Sequence, residues 1–460
     1  MPRLSPGTLA VVALVALGAG LRMYGLDVQS LWHDELSTVH ASQLPTLADV
    51  VRVGGAEDVH PPGHPLLVRA WTSLVGTGAP GMRASSAVAG ILTLPLLAAL
   101  GGRLGEGLGW RTAMVGALAW MPIHYSQELR PYAWVLLATT ALLTLLVTPG
   151  RSAVREAAAI GLTAALAAWM HYFGLLAAAL AIPAAALARQ RRGEPWKPVV
   201  AGGLLALLVY LPWLAALTAQ VERGKIWIPP VTLGRVADAF ASLCQGWPVL
   251  ALALWLLGMA LARDRRPFGL AGAWVVALFV AAVAVSLAVL PVLTDRNLIV
   301  AFPGIAVLTA ASARAIDGRV GEPVATGLLA MFLLVDLVGV RAYYTTPTKP
   351  DYRGLVAELA RRARPGEPIG VGVWNRFYVD YYAPPDLVVT AHSVRKRDRA
   401  ALFAQQPPVV HLAFPISERI VDRCTVQQPG YTQICEERVG WDLYRFERTA
   451  ADATRTPRVE

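Results

Sequence analysis

Over its first 340 residues the chain alternates long apolar runs with short polar loops. A bilayer core needs about twenty mostly apolar residues per helix, so each run is a possible membrane span. The pattern predicts about eleven transmembrane helices, although several of the runs are short. Residues 157–188 fit either two spans or one long helix broken near His171. The predicted spans are 8–21, 85–100, 110–123, 132–148, 157–170, 173–188, 199–217, 249–262, 270–290, 298–313 and 324–340.

The pattern changes after about residue 341. Leu355, Val356 and Leu359 share one helical face with charges opposite, which predicts an amphipathic helix that Pro365 and Gly366 end. Further short elements follow it. They are predicted strands at 369–373, 387–390 and 408–414, with a polar helix at 395–405. The domain prediction is a transmembrane domain at 1–340 with a first extracytoplasmic loop at 26–84, an α/β domain at 341–448 and a flexible tail at 449–460.

The composition supports a membrane protein. The chain is 55% hydrophobic and only 16% charged, with a mean hydropathy of +0.48. Soluble domains are about 25% charged, so this chain cannot cover a globular surface with polar groups. Its net charge of +10 could suggest a nucleic-acid partner. Much of the excess lies in short loops between apolar runs, which is the positive-inside pattern, so we predict no nucleic-acid binding.

The basic residues also predict the orientation. With the N-terminus inside, every inside loop is basic, and an odd number of spans puts the C-terminal domain and all eight histidines outside. We therefore predict a multi-pass protein of the cytoplasmic membrane whose chemistry faces the extracytoplasmic side. The first apolar run could pass for a signal peptide, but cleavage would leave Asp34 without an anchor, so an uncleaved span is favoured.

Cysteine use excludes a disulfide-scaffold fold and argues against a thiolate metal site. The chain has three cysteines and no CxxC pair. Cys424 and Cys435 lie in the predicted outer domain, where oxidising conditions permit a disulfide. Pro429 and Gly430 favour a turn between them, which predicts a bridge, with two free buried thiols as the alternative.

Ionisable residues gather in four segments that the predicted topology brings to the outer side. Such residues at a membrane are functional candidates by default. The segments are Asp34 with Glu35, His60 to His64 around a double proline, His124 to Ala133 with Glu128 and Arg130, and the turn of Asp295, Arg296 and Asn297.

Each segment has a simpler structural reading. Asp34 and Glu35 could cap a surface helix. Arg130 and Arg296 could extend to lipid headgroups, although a guanidinium beside acids is equally suited to binding phosphate. A divalent metal is a possible cofactor, and its candidate ligands are His60, His64 and Glu128. Pro61 and Pro62 make an uninterrupted helix through the two histidines unlikely to form.

The order of these motifs resembles the GT-C fold of integral-membrane glycosyltransferases. Within that class, the motifs resemble those of the group of protein O-mannosyltransferases and bacterial lipid A aminoarabinose transferases. The resemblance covers the chain to about residue 340. The C-terminal domain resembles the variable periplasmic domains of the bacterial members only in size and position. The motifs are W-x-D-E (Trp32, Asp34, Glu35), H-P-P (His60, Pro61, Pro62), S-Q-E-x-R-x-Y (Ser126, Gln127, Glu128, Arg130, Tyr132), H-Y (His171, Tyr172) and the turn with Arg296.

The resemblance implies a sugar donor on a polyprenyl phosphate, presented at the outer leaflet. An acid like Asp34 is then the general base on an acceptor hydroxyl of a glycan, lipid or protein, with Glu35 beside it, and Arg130 and Arg296 bind the lipid phosphate. Aminoarabinose transferases tend to carry an acid or a lysine where this chain has His60, which argues against that donor. The remaining candidates for substrate binding are His60, His64, Glu128, Tyr132, His171 and Tyr172.

Elementary chemistry supports the same function. A carboxylate must take the proton of the attacking hydroxyl, and positive groups must hold the charge that grows on the departing phosphate. No nucleotide-binding glycine loop is visible, and direct attack would invert the anomeric centre. One alternative is a transporter or flippase, but the charged residues gather at the outer end of the predicted helix bundle and not at mid-membrane. The other alternative is a membrane hydrolase, for which the sequence shows no HExxH or nucleophile motif.

Overall fold

A computed structural model of the protein describes residues 5–56, 59–150, 152–223, 228–372, 376–390, 396–415, 424, 426–438 and 441–449. The predicted tail lies outside the described residues from residue 450 onward. The chain divides into two compact units. The first comprises Met1–Leu26 and Ala41–Tyr344, and the second comprises Asp27–His40 and Thr345–Glu460.

Helices account for most of the described residues up to Tyr344. Among them the helix His33–Ser42 lies mainly in the second unit, and the others lie in the first. In chain order the helices are α1 Pro6–Met23, α2 His33–Ser42, α3 Leu47–Ala56, α4 Gly63–Val75, α5 Ala79–Leu104, α6 Leu108–Leu118, α7 Trp120–Ser126, α8 Tyr132–Leu146, α9 Ala153–Met170, α10 Tyr172–Arg191, α11 Lys197–Tyr210, α12 Leu214–Arg223, α13 Leu233–Leu243, α14 Pro248–Leu261, α15 Arg266–Ala288, α16 Phe302–Val320 and α17 Glu322–Leu334. Short 3₁₀ helices occupy Leu211–Trp213 and Arg296–Ala301, and a π-helical turn occupies Val335–Val340.

All eleven predicted apolar runs are helical, which confirms a polytopic α-helical membrane protein. Among the described residues, eight helices are long and apolar enough to cross a bilayer, or nine if α13 and α14, bent by 61°, form one span. The helix α8 is apolar but shorter, and the predicted span at 110–123 is divided between α6 and α7. The total of eleven spans stays a prediction.

The break between α6 and α7 is held by two side chains from distant parts of the first unit. The guanidinium of Arg22 donates hydrogen bonds to the carbonyl oxygens of Gly116, at 2.7 Å, and Ala117, at 3.4 Å. The backbone N–H of Met121 donates to Oε1 of Gln245 at 3.0 Å. Helix ends leave backbone groups without intrahelical partners, so these contacts satisfy both sides of the break.

A second break separates α9 from α10 at His171, as the sequence predicted. This residue is extended, with φ −162°, and its Nδ1 accepts a hydrogen bond from the backbone N–H of Phe173 at 3.1 Å. The chain then folds back closely, because a Cβ on Gly174 would lie 2.0 Å from the carbonyl oxygen of Ala167. Only glycine permits this approach, so the break is built into the local sequence.

The second unit contains an α/β domain. Its helices are α18 Tyr352–Arg362, α19 Arg376–Tyr382 and α20 Lys396–Phe403, and its strands are β1 Ile369–Val371, β2 Val409–Pro415, β3 Tyr431–Arg438 and β4 Trp441–Arg448. The strand order is β1-β2-β4-β3, with β1 and β2 parallel and the other pairs antiparallel. The three apolar residues predicted to face the core from α18 are buried, namely Leu355, Val356 and Leu359.

One predicted strand is wrong and the predicted disulfide is confirmed. Residues 387–390 form no strand. The N–H of Thr390 donates a hydrogen bond to the carbonyl oxygen of Ile369 at 2.9 Å, but a single backbone hydrogen bond does not make a strand pair. Cys424 and Cys435 are bridged, with their Cα atoms 5.7 Å apart. Between them Gly430, at φ 81°, occupies the position of a turn that requires a left-handed residue.

Candidate active site

In the first unit, the H-P-P segment lies against the break between α9 and α10. The helix α4 begins at Gly63, directly after the double proline. A Cβ on Gly63 would lie only 2.3 Å from the carbonyl oxygen of Trp169, so the start of α4 approaches the end of α9 as closely as backbone atoms allow. This approach places the ring of His60 beside that of His171, with their centroids 5.2 Å apart.

The two histidines join a continuous set of four rings, which we call the aromatic cluster: His60, His171, Tyr132 and Tyr125. The centroids of Tyr132 and His171 are 5.6 Å apart, and those of Tyr125 and Tyr132 are 4.9 Å apart. Tyr132 and His171 are almost fully buried. Motifs that are more than 100 residues apart in the sequence therefore meet at one place, and three of the predicted substrate-binding residues belong to it.

Charged groups surround the Tyr125 end of the aromatic cluster. The phenol of Tyr125 interacts electrostatically with Asp295, Glu128 and Arg296. The carboxylate of Glu128 also lies 3.4 Å from Nε2 of His124, one helical turn earlier. Two segments that the sequence analysis considered separately, around residues 124–133 and 295–297, thus converge.

The two predicted phosphate-binding arginines differ in burial. Arg130 is 7% exposed, and its backbone N–H donates to the carbonyl oxygen of Glu128 at 2.8 Å. Arg296 is half-buried at the start of a 3₁₀ helix, where its backbone N–H donates to the Asp295 carboxylate at 2.8 Å. The planar set of donors on a guanidinium matches the oxygens of a phosphate, so both arginines remain candidates for binding an anionic ligand.

Tyr172 and His64, two further candidates for substrate binding, are part of the helix packing in the first unit. The hydroxyl of Tyr172 donates to the side chain of Gln220 and accepts a hydrogen bond from Nε1 of Trp213 at 3.0 Å. Because Nε2 of Gln220 donates to the carbonyl oxygen of Gly54 at 2.7 Å, this network joins α10, α12 and α3. His64 is buried in the first turn of α4.

The second unit carries both acids of the W-x-D-E motif. Glu35 is fully buried, and its carboxylate accepts the backbone N–H of Trp32 at 3.3 Å and lies 3.2 Å from Nζ of Lys349. The first contact is the reciprocal half of a capping box at the start of α2. The structural reading that an acid caps this helix therefore applies to Glu35, whose charge is also balanced by the lysine.

Asp34 has a different environment within the same unit. It is half-buried and one residue away on α2, and adjacent side chains do not share a helix face. Burial raises the pKa of Tyr352 to about 12, and the charge of Asp34 contributes to that increase. The Tyr352 phenol therefore stays protonated at neutral pH beside the Asp34 carboxylate, and it belongs to α18 of the same unit.

The described residues do not group His60, His64 and Glu128 as a set of metal ligands. Across the described ranges, the one cluster of three possible ligands is Cys424, Cys435 and Asp442, whose two sulfurs form the disulfide. The reason is local. The double proline leaves His60 outside α4 while His64 lies inside it, and Glu128 lies beside His124.

Sequence reasoning missed three residues that contact the site residues. Lys349 is 314 positions from Glu35, and no spacing rule connects them. Tyr125 was read only as part of its motif, although its ring links Tyr132 to the charged groups. Gln220 gave no signal, because a single polar residue at the end of an apolar run is commonplace.

Comparison with solved structures identifies the fold. The chain is similar to ArnT from Cupriavidus metallidurans in the apo state, with a TM-score of 0.64 at 15% identity over 96% of this chain and 98% of that chain. Against the same protein bound to undecaprenyl phosphate the TM-score is 0.59 at 15% identity, over 95% and 98% of the two chains. The Archaeoglobus fulgidus oligosaccharyltransferase gives 0.52 at 12% identity, over 88% of this chain and 68% of that chain.

These similar proteins are GT-C fold membrane glycosyltransferases, so the chain has the GT-C fold that the motif order implied. No protein-family profile matches the chain, and no curated protein matches it by sequence. The structural match extends over 96% of the chain, beyond residue 340 where the sequence resemblance ended.

Proposed function

We propose that the protein is a membrane glycosyltransferase that moves a sugar from a polyprenyl-phosphate donor to an acceptor hydroxyl at the outer face of the cytoplasmic membrane. The observation that carries the proposal is the convergence of Glu128, Arg296 and the aromatic cluster within a GT-C fold. The similar structure of ArnT bound to undecaprenyl phosphate supports a donor of that class.

The proposed reaction assigns one role to each kind of charged group. The acceptor oxygen attacks the anomeric carbon while its proton passes to the carboxylate of Asp34. The bond from that carbon to the phosphate oxygen breaks, and the polyprenyl phosphate leaves with the electron pair. Arg130 and Arg296 stabilise the charge that grows on the phosphate. Attack opposite the leaving group inverts the anomeric centre.

Glu35 is proposed as a positioning residue. Its carboxylate is fully buried, caps α2 and is balanced by Lys349, so it holds the turn that carries Asp34. The aromatic cluster and Glu128 supply ring faces and hydrogen-bonding groups of the kind that bind a sugar. His60 replaces the charged residue typical of aminoarabinose transferases, which favours a donor sugar such as a mannose-like hexose or a pentose.

An apolar cavity in the first unit is suited to the lipid chain of the donor. It has a volume of about 380 Å³ and is lined along α14, α16 and α17 by residues that include Trp255, Phe302, Ile305 and Leu329. Because α16 follows the 3₁₀ helix that starts at Arg296, a phosphate held there places its hydrocarbon tail beside this lining. Burial of prenyl units against such a surface is favourable in proportion to the apolar area covered.

The test is a comparison of transfer with transport in proteoliposomes. Purified protein would be given undecaprenyl-phosphate mannose or undecaprenyl-phosphate arabinose, with candidate acceptors from the envelope, and release of undecaprenyl phosphate would be measured. We expect release that requires an acceptor and a glycosylated product. Movement of labelled lipid between leaflets without release would instead establish a flippase, and release without an acceptor would establish a hydrolase.

A further inference from the structure

A second cavity in the first unit lies among the ends of several helices, away from the aromatic cluster. This cavity has a volume of about 680 Å³ and lies where α5 ends and α6 begins, where α14 ends and α15 begins, and in the last turns of α16. The lining uses α16 only from Ala311 onward, and the nine residues from the start of α16 at Phe302 to Ala311 span about 14 Å at 1.5 Å per residue. It is therefore at the opposite end of this helix from Arg296.

The lining of this cavity has two chemically different parts. Leu108, Leu261 and Phe268 form an apolar part, while Arg263, Arg314 and Arg319 supply guanidinium groups. All three arginines are exposed, whereas Leu108 and Phe268 are buried. Small residues, among them Gly105, Ala311, Ala315 and Gly318, leave the space open.

Three acids near the cavity, namely Asp317, Glu322 and Asp264, already contact groups outside its lining. Buried Asp317 accepts a hydrogen bond from Arg111 at 2.5 Å, and Glu322 lies 3.0 Å from the same arginine. Asp264 accepts the backbone N–H of Arg266 at 2.9 Å and so caps the start of α15.

The positive charge of the lining arginines is only partly neutralised by nearby acids. Arg263 and Arg319 have no ion pair within 4.0 Å among the described residues, and Arg314 approaches Asp317 only at that limit. With Glu106 and Asp264 as the acids of the lining, the three arginines leave the cavity positively charged.

We propose that this cavity binds the phosphodiester headgroup of an anionic phospholipid, with the glycerol and first acyl carbons against its apolar part. Planar guanidinium groups suit phosphate oxygens, and basic pockets between transmembrane helices on the cytoplasmic side suit anionic headgroups. A soluble phosphate would use the arginines but leave Leu108, Leu261 and Phe268 without a partner. The site lies beyond the reaction proposed above and does not depend on it.

Native mass spectrometry of the full-length protein can test the site. The protein would be titrated with phosphatidylglycerol and, separately, with phosphatidylcholine. We expect the wild type to retain phosphatidylglycerol about tenfold more strongly. The paired change Arg314→Glu with Arg319→Glu should abolish that preference, and the milder Arg314→Gln with Arg319→Gln should reduce it if the first pair fails to fold.

The matched control is Arg103→Glu with Arg265→Glu. Both arginines are exposed, Arg103 in the last turn of α5 and Arg265 in the loop between α14 and α15, and neither belongs to the lining. The same change in net charge should therefore leave the preference intact. Equal loss in the control, or equal retention of the two lipids by the wild type, would overturn the proposal. Displacement of phosphatidylglycerol by glycerol 3-phosphate at equal concentration would show a soluble phosphate site and reject a lipid ligand.

Discussion

The two units of the chain hold proposed functional groups of opposite charge. In the first unit, buried Arg130 and half-buried Arg296 accompany the aromatic cluster. In the second unit, Asp34 and Glu35 occupy successive positions on α2. The proposed reaction therefore divides between groups that hold a leaving phosphate and a group that removes a proton. Each function can be disabled by changes confined to one unit.

Within the second unit, the neighbouring acids show why sequence position alone does not assign a role. Glu35 is fully buried, bonded to a helix cap and paired with Lys349. Asp34 is half-buried and interacts with the protonated phenol of Tyr352. The ion pair with Lys349 and the contact with the helix start give Glu35 a structural role, which supports the proposal that Glu35 positions Asp34 and does not itself act as the base.

The largest expected effect comes from removing the proposed base. Asp34→Asn keeps the side-chain shape but cannot accept a proton, so the transfer rate should fall by about 10²–10⁴-fold. Binding of the donor should persist because the residues proposed to bind its phosphate are unchanged. Glu35→Gln is the companion variant. Near-normal turnover by Asp34→Asn together with an inactive Glu35→Gln would move the base to Glu35.

Arg130→Lys and Arg296→Lys address the first unit. Each keeps the positive charge but loses the fork of donors, and a hydrogen bond to a charged group contributes about 1.5–3 kcal/mol. We expect donor binding to weaken about 10- to 100-fold, measured by titration with an undecaprenyl-phosphate sugar. Arg103→Lys, at an exposed position, is the control. Unchanged affinity in both variants would mean that these arginines only contact lipid headgroups.

Gly63→Ala tests whether the aromatic cluster depends on the close approach of α4 to α9. A Cβ there would lie 2.3 Å from the carbonyl oxygen of Trp169, and such overpacking typically costs about 1–3 kcal/mol. We expect a lower thermal stability and weaker donor binding. Gly78→Ala is the control, because a Cβ at Gly78 meets no atom within 4 Å. Equal behaviour of the two variants would contradict the packing seen here.

The smallest effect concerns the stability of the second unit. Burial lowers the pKa of His411, and its Nε2 lies 2.9 Å from the Glu367 carboxylate. Near pH 6.5 the unfolded chain takes up a proton at this residue, whereas the folded chain takes it up only at a lower pH. Stability should therefore fall as the pH drops from 7 toward 5. Hydrogen exchange of the β2 amides, measured from pH 7 to 5, should report this loss of stability in the wild type. In His411→Gln the dependence of stability on pH should be weaker. The same dependence in both proteins would refute the assignment to His411.

Much of the fold was predictable because apolar runs and helix breakers act locally. The eleven apolar runs, the break at His171 and the face of α18 all follow from short-range patterns. The break between α6 and α7 was missed, although Pro122 is a local signal for it because proline disrupts the helical bond to the carbonyl four residues earlier, at Leu118. The contacts of Arg22 and Gln245 that stabilise the break come from distant positions and give no such signal. The strand expected at 387–390 failed because a four-residue apolar segment says little about its pairing.

The candidate site was predictable by residue type and less so by arrangement. Motif order identified His60, Tyr132 and His171, yet their contact requires Gly63, whose role appears only from the proximity of Trp169. The sequence also presented Asp34 and Glu35 as equivalent acids. Lys349 distinguishes them, and a partner 314 residues away carries no signal in a single sequence.

The most direct test of this division is an acceptor chase. Donor would first be bound to wild type, Asp34→Asn and Arg296→Lys without acceptor, and release of polyprenyl phosphate would be followed after acceptor is added. The account predicts that wild type releases it rapidly, that Asp34→Asn retains the bound donor with little release, and that Arg296→Lys binds little donor at the start. Rapid release from Asp34→Asn, or full donor binding by Arg296→Lys, would contradict it.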